Sequence, residues 1–319
     1  MRLTAGRGGY WAAGVLAGLV LFFWVLTLLF PQGTARLLVA GLRASAGLEA
    51  KVAETAFGPV HYLEGGEGPT VVLLHGIYAR KEHWIDFSRA LDGYRVVIPD
   101  LPGFGENTVL GDGAYDYDRQ AARLMAALDE LAPGPFHLAG SSMGGQLTGM
   151  LAHRFPSRVR SIAFIGSAAG VTSPVASDME RALARGERPL VVTSEAGFAS
   201  RMDWLFPDAP YIPGPVFNDW AKSEAALAND NERIWEEVGA SKAERLEALA
   251  PKLVQPALIV WCREDRVFHI TGAQALSDLL PNDTLVELNG CGHVPMLDRP
   301  SDTGQAYRTF LEELDVPRS

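Results

Sequence analysis

A chain of 319 residues with 48% hydrophobic and 21% charged side chains has ample apolar material for a large core and is no disordered polymer. Its 28 basic and 38 acidic residues leave a formal charge of −10, the wrong sign for a nucleic-acid-binding surface. Two cysteines, Cys262 and Cys291, cannot make a disulfide framework or a four-ligand zinc site.

No charged residue lies between Arg7 and Arg36, and Tyr10–Phe30 within that gap is apolar but for one threonine. At a helical rise of ~1.5 Å that stretch covers roughly 30 Å, the thickness of a hydrocarbon core. A buried globular helix would carry polar residues along one side. A cleaved signal peptide would need a shorter apolar run and a nearby Ala-x-Ala, and Ala44-Ser45-Ala46 is too distant. The expectation is a signal anchor over 1–30, with one transmembrane helix over 10–30 in the cell membrane. Arg2 and Arg7 before it nearly balance Arg36, Arg43 and Lys51 after it. A short basic leader ahead of a single anchor favours export, so the following domain is expected on the extracytoplasmic side. Gly14 and Gly18 offer a small-residue face for homodimerisation through this helix. After the break at Pro31-Gln32-Gly33, Leu37, Leu38, Val39, Leu42 and Leu48 are one-sided, with Arg36 and Arg43 beside them. Residues 31–56 therefore read as an amphipathic juxtamembrane segment resting on the bilayer.

From residue 57 to 319 the pattern is that of an α/β domain, a mainly parallel sheet with helices on both faces. Strand-like runs fall at Val60–Leu63, Thr70–Leu74, Tyr94–Pro99, Phe136–Ala139, Val159–Ile165, Ala257–Trp261 and Thr284–Leu288. Helical patterns fall near Glu82–Leu91, Asp118–Leu131, Gly145–Arg154, Thr271–Leu280 and Asp302–Leu314. The alternation fails from 171 to about 249, a stretch rich in aromatics and proline that reads as an inserted helical lid.

Gly140-Ser141-Ser142-Met143-Gly144 follows a strand and precedes a helix, the setting in which G-x-S-x-G forms a strained nucleophile elbow. That register selects Ser142 as nucleophile, with Gly140 and Gly144 letting neighbouring backbone pack closely. A serine needs a base, and the base an orienting carboxylate, in the chain order Ser, acid, His. Asp265 leaves one late strand and His293 the next, so both open on the elbow's edge of the sheet; Glu264 is the weaker choice of acid. Oxyanion N–H donors are assigned to Ile77, after the strand ending His75-Gly76, and to Met143. His75 itself reads as structural. No cofactor or metal motif competes: Gly103-Phe104-Gly105 lacks the third glycine and helix start of a dinucleotide site. Cys262 and Cys291 end neighbouring strands, and free buried thiols are expected because such ends can point to opposite faces.

Taken together, His75-Gly76, Asp100-Leu101-Pro102-Gly103-Phe104-Gly105, Gly140-Ser141-Ser142-Met143-Gly144-Gly145, Asp265-Arg266-Val267 and Gly292-His293 resemble the α/β-hydrolase superfamily over residues 57 to 314. The N-terminal anchor, Arg80-Lys81-Glu82-His83-Trp84, Phe136-His137-Leu138-Ala139-Gly140 and Gly290-Cys291-Gly292-His293 with Asp298-Arg299-Pro300 narrow the resemblance. They are similar to membrane-anchored monoacylglycerol lipases of the α/β-hydrolase-domain-6 type, bacterial family V lipases and inner-membrane phospholipases A. The resemblance implies hydrolysis of acyl esters of monoacylglycerols, lysophospholipids or phospholipids at a bilayer. One departure is Ile77, where such lipases commonly have Phe; the N–H donor survives, and the acyl pocket changes shape.

Two other readings share some of these residues. A carbon–carbon bond hydrolase of ring-cleavage products has the same triad and Asp-Leu-Pro-Gly-Phe-Gly loop, but its small soluble substrates need no anchor. A non-catalytic membrane-tethered interaction protein would be expected to lack a triad member, and none is lacking.

Overall fold

The computed structural model describes residues 7–315. The leader at 1–6 lies outside the described residues, as do several side chains of the first helix. The elements in order are α1 (Arg7–Leu29), α2 (Pro31–Ser45), β1 (Glu49–Thr55), β2 (Gly58–Gly65) and β3 (Thr70–Leu74). A 3₁₀ turn (Lys81–Trp84) leads into α3 (Ile85–Ser88), followed by β4 (Arg95–Pro99), α4 (Tyr117–Leu131), β5 (Phe136–Ser142), α5 (Met143–Arg154) and β6 (Val159–Ala168). Then come α6 (Asp178–Ala184), α7 (Glu195–Leu205), α8 (Gly214–Ala225), α9 (Ala228–Gly239) and α10 (Leu246–Leu249), all between β6 and β7 (Ala257–Cys262). The chain ends with α11 (Thr271–Ser277), β8 (Asp283–Leu288), α12 (Pro295–Asp298) and α13 (Pro300–Asp315).

Eight strands form one sheet in the order β1-β2-β4-β3-β5-β6-β7-β8. β3 to β8 run parallel, and β1 and β2 are antiparallel at one edge. Along β3, Val72 and Leu74 enter one buried cluster with Leu124, Leu128 and Leu147 of α4 and α5. Val71 and Leu73 enter the other, with Phe87, Tyr307 and Leu311 of α3 and α13. Burial on both faces is why the central strands read as unbroken apolar runs.

Three expectations are revised here. The sheet starts before residue 57: the supposed juxtamembrane stretch 49–55 is β1, paired antiparallel with β2 from Glu49↔Glu64 to Thr55↔Gly58. Its Glu49, Lys51 and Glu54 are exposed, as suits an edge strand that discourages further pairing. Second, α2 does not simply rest its apolar side outward. Leu38, Val39 and Leu42 line a cavity and Leu48 joins the core, while Leu37 and Leu42 remain exposed, at 61% and 39%. Third, Cys262 and Cys291 are disulfide-bonded, with Cα atoms 5.4 Å apart. Cys262 is the last residue of β7, and the turn at Gly290 after β8 brings Cys291 back over that end, so the two side chains converge.

α1 covers most of the expected anchor, and α2 begins at Pro31 itself, where a missing N–H costs the helix nothing. Among the described residues no helix is long and apolar enough to cross a membrane.

Candidate active site

Four loops meet at the carboxyl ends of the parallel strands, where open α/β sheets place their ligands. They follow β3, β5, β7 and β8.

Ser142 ends β5 at φ 54° and ψ −118°, a conformation an L-residue adopts only under constraint. The constraint is close packing. A side chain on Gly140 would collide with the Gly144 carbonyl, and one on Gly144 would lie 2.6 Å from the His75 carbonyl oxygen. Gly76 permits a third approach, since a Cβ there would sit 3.1 Å from the Ser142 Cβ. The Ser142 carbonyl is held by the Ala169 N–H at 3.0 Å, so the turn is tied to the strand beside it. Met143, the first residue of α5, is buried, and its backbone stands at the helix N-terminus, where N–H groups lack intrahelical partners.

Asp265 and His293 meet as expected. His293 Nδ1 lies 3.1 Å from Asp265 Oδ2, while Asp265 Oδ1 accepts the N–H groups of Val267 (2.8 Å) and Phe268 (3.1 Å). This places the Nδ1 proton toward the carboxylate and makes Nε2 the basic nitrogen. Glu264, the weaker choice, instead accepts the N–H of Gly290 at 3.0 Å and so braces the His293 loop. The same loop is held by the disulfide, by the Leu205 carbonyl on His293 N–H (2.8 Å) and by Asp298 on Gly292 N–H (2.7 Å).

The loop after β3 is pinned at both ends by one short segment. His75 Nε2 accepts the Leu101 N–H at 2.9 Å, and its Nδ1 donates to the Gly76 carbonyl at 2.8 Å. Burial lowers the His75 pKa to about 4 despite nearby Asp100, so the ring stays neutral and acts as a strut. At the other end Asp100 accepts the Lys81 N–H (2.8 Å), its Nζ (2.6 Å) and the Glu106 N–H (2.9 Å). Between the pins lie Ile77 and Tyr78, the latter at φ 56° with its hydroxyl on the Asn231 carbonyl at 2.5 Å. Asp100 and Lys81 carry no signal for this role in the sequence, because only the fold brings their loops together.

Ser142, His293 and Ile77 line one cavity of about 540 Å³. Its walls are mainly apolar: Leu205, Met202, Phe198 and Val216 from the inserted helices, Met296 from α12, and Leu38 and Leu42 from α2. A polar pair interrupts them, Arg201 of α7 bound bidentately to Glu224 of α8, both buried. The pair adds a polar cross-link to two helices that also pack through Phe198 of α7 against Phe217 of α8, and sequence pattern gave no sign of it.

Asp298 offers a pH test. Burial pushes its carboxyl up to about 6, against the opposing pull of the Gly292 N–H and Arg299. Between about pH 4 and 6 the folded chain then holds a proton that the unfolded chain has released, so this group's contribution to stability falls as pH rises through that window. Asp298→Asn keeps an oxygen acceptor and removes the proton. Thermal midpoints of wild type and variant, compared from pH 4 to 7, should diverge across it; parallel curves would refute the shift.

Residues 69–300 match the family model for the alpha/beta hydrolase fold. The chain is 28% identical to Lipase 3 of Moraxella sp. (strain TA144) over 277 residues, covering 85% of this chain and 87% of that one. It is 25% identical to human Monoacylglycerol lipase ABHD6 over 313 residues, 94% of this chain and 93% of the relative. Among solved structures, a membrane phospholipase A described as a bacterial virulence factor superposes with a TM-score of 0.86 at 33% identity, covering 95% and 99% of the two chains. With a strained serine ending β5, a buried Asp–His pair at the ends of β7 and β8, and lipases as full-length relatives, the chain belongs to the α/β-hydrolase family as a carboxylic ester hydrolase.

Proposed function

We propose that the protein is a membrane-anchored serine lipase that cleaves the acyl esters of monoacylglycerols, lysophospholipids or phospholipids. The observation that carries this reading is the mainly apolar cavity ending at Ser142 and His293, walled in part by the helix that follows the N-terminal apolar span. Ser142 Oγ attacks the ester carbonyl as His293 Nε2 takes its proton, and Asp265 steadies the resulting imidazolium. The Ile77 and Met143 N–H groups receive the oxyanion. His293 then protonates the leaving alcohol, and water, deprotonated by the same nitrogen, releases the fatty acid. The helical insertion over 171–249 acts as the lid, and its apolar faces supply most of the acyl wall.

The anchor reading rests on the sequence, in which Tyr10–Phe30 is apolar but for one threonine and no charge lies between Arg7 and Arg36. At Gly14 and Gly18 an added Cβ would meet nothing within 4 Å beyond the adjoining backbone of its own helix, leaving room for the same face of a second copy. An extracytoplasmic catalytic domain is favoured by the Cys262–Cys291 disulfide, because such bonds persist in oxidising compartments.

Two measurements test these statements on the full-length chain expressed in a diderm bacterium. Long-chain monoacylglycerols, lysophospholipids and phospholipids in mixed micelles should be hydrolysed, and a soluble ring-cleavage product should not; the reverse preference would overturn the substrate reading. Protease added to intact spheroplasts should cut the domain from its anchor, whereas protection until lysis would reverse the orientation.

A further inference from the structure

α2 forms one wall of the cavity. Leu38, Gly41, Leu42 and Ser45 recur at helical spacing and line it together, with Val39 beside them. The helix is fastened where it stands. Arg43 pairs with Glu82 and Glu106, and Arg89 donates to the carbonyl and hydroxyl of Ser45, each at 2.7 Å. α2 also packs against α8, which brings Val216 and Trp220 into the same cavity. None of these fastening contacts involves the elbow or the His293 loop, so the wall is held independently of the residues that position Ser142 and His293.

Gly41 is the anomaly in this wall. Glycine inside a helix weakens it relative to alanine, so its presence calls for a reason. Two ordinary reasons fail. Gly41 is not in the left-handed region, and a Cβ built on it would meet nothing within 4 Å. No neighbouring backbone demands the missing side chain. Gly41 is exposed and lines the cavity with Leu38, Leu42 and Ser45, and what the glycine leaves is open space beside that wall.

We propose that Gly41 is a specificity-determining residue, keeping open the part of the cavity along α2 that receives the distal carbons of a long acyl chain. The assignment rests on the lipid-ester reading above. Short acyl groups end before they reach this wall and are indifferent to it. A leucine here fills the slot with apolar volume, without colliding at Cβ with the fold.

The test uses the full-length protein in detergent, with Gly41→Ala and Gly41→Leu assayed on p-nitrophenyl butyrate, octanoate and palmitate. For Gly41→Leu, butyrate kcat/KM should stay within about twofold of wild type while palmitate falls roughly tenfold or more, mostly through KM. Gly41→Ala should keep the palmitate activity and raise the thermal midpoint, alanine being the better helix former. An unchanged chain-length profile in Gly41→Leu overturns the assignment. So does an equal fall on all three esters, which would mean that α2 had been displaced. Wild type inert on every ester overturns the ester-hydrolase reading instead. Binding of a fluorescent long-chain fatty acid, weakened by leucine at 41 and not by alanine, still decides the role of Gly41 in that case.

Discussion

Ser142→Ala is expected to lower kcat for ester hydrolysis by about 10³-fold or more, with the fold intact. In the proposed mechanism the hydroxyl is the atom that forms the acyl-enzyme, and what remains after its loss is the binding and oxyanion contribution alone. Alanine keeps the Cβ that Gly76 approaches, so the packing of the elbow does not change. The backbone at 142 adds a second readout. At φ 54° any L-residue is strained, whereas glycine is not, so Ser142→Gly should be equally inactive yet more stable, by about 1 kcal/mol. Activity loss with gain in stability is the mark of strain held for function. A fluorophosphonate probe should label the wild type at Ser142 and neither variant. Labelling at Ser141, or substantial turnover by Ser142→Ala, would move the nucleophile elsewhere.

The sheet could be read before it was seen, because strands buried on both faces leave continuous apolar runs bounded by turns. β1 escaped that reading for the complementary reason. Glu-Ala-Lys-Val-Ala-Glu-Thr is an edge strand whose charged residues face water, and its pairing energy comes from backbone bonds to β2 that no side-chain pattern announces. The elbow was legible because strain and close approach demand specific residues at specific offsets, Gly140 and Gly144 around Ser142. Asp265 and His293 followed from chain order, and the structure brings them within hydrogen-bond distance.

Other features depend on where side chains point in loops, and loops have no period. Cys262 and Cys291 could be placed at adjacent strand ends, but whether they face each other is decided by the turn at Gly290. The apolar stripe of α2 was legible and its partner was not. A bilayer surface and a cavity wall select the same residues, and only the fold shows that Leu38 and Leu42 line the cavity that also holds Ser142. On the proposed membrane-anchored reading that ambiguity is itself informative, since a helix that serves as pocket wall and follows an apolar span would set the pocket beside the medium that holds its substrate.

The largest stability effect is expected at Lys81. Its side chain is fully buried, with Nζ 2.6 Å from Asp100, which is also fully buried, and 3.3 and 3.5 Å from Glu106 and Glu82. Arg43 reaches the same two glutamates from α2, and the two cations together hold Glu106 well below the ordinary carboxylate range, although burial alone would raise it. Removing Lys81 therefore leaves a buried carboxylate with no cation beside it, and two more with one cation fewer. Breaking a buried pair from one side costs about 3–5 kcal/mol, a large share of the 5–15 kcal/mol that holds a typical domain together. Lys81→Met should accordingly lower the thermal midpoint by about 10 °C. Adding Asp100→Leu should recover only part of the loss, because the Asp100 carboxylate also accepts the N–H groups of Lys81 and Glu106, and the buried one, that of Lys81, would then lack its partner. The single variant should also lose activity at temperatures where it is still folded, since Asp100 and Leu101 fix both ends of the loop that carries Ile77. Midpoints of the single and double variants, with kcat measured at least 15 °C below each by the usual two-state criterion of a fully folded sample, check the scheme. A Lys81→Met protein as stable as wild type would show that the carboxylates are relieved by protonation or by water rather than by this lysine.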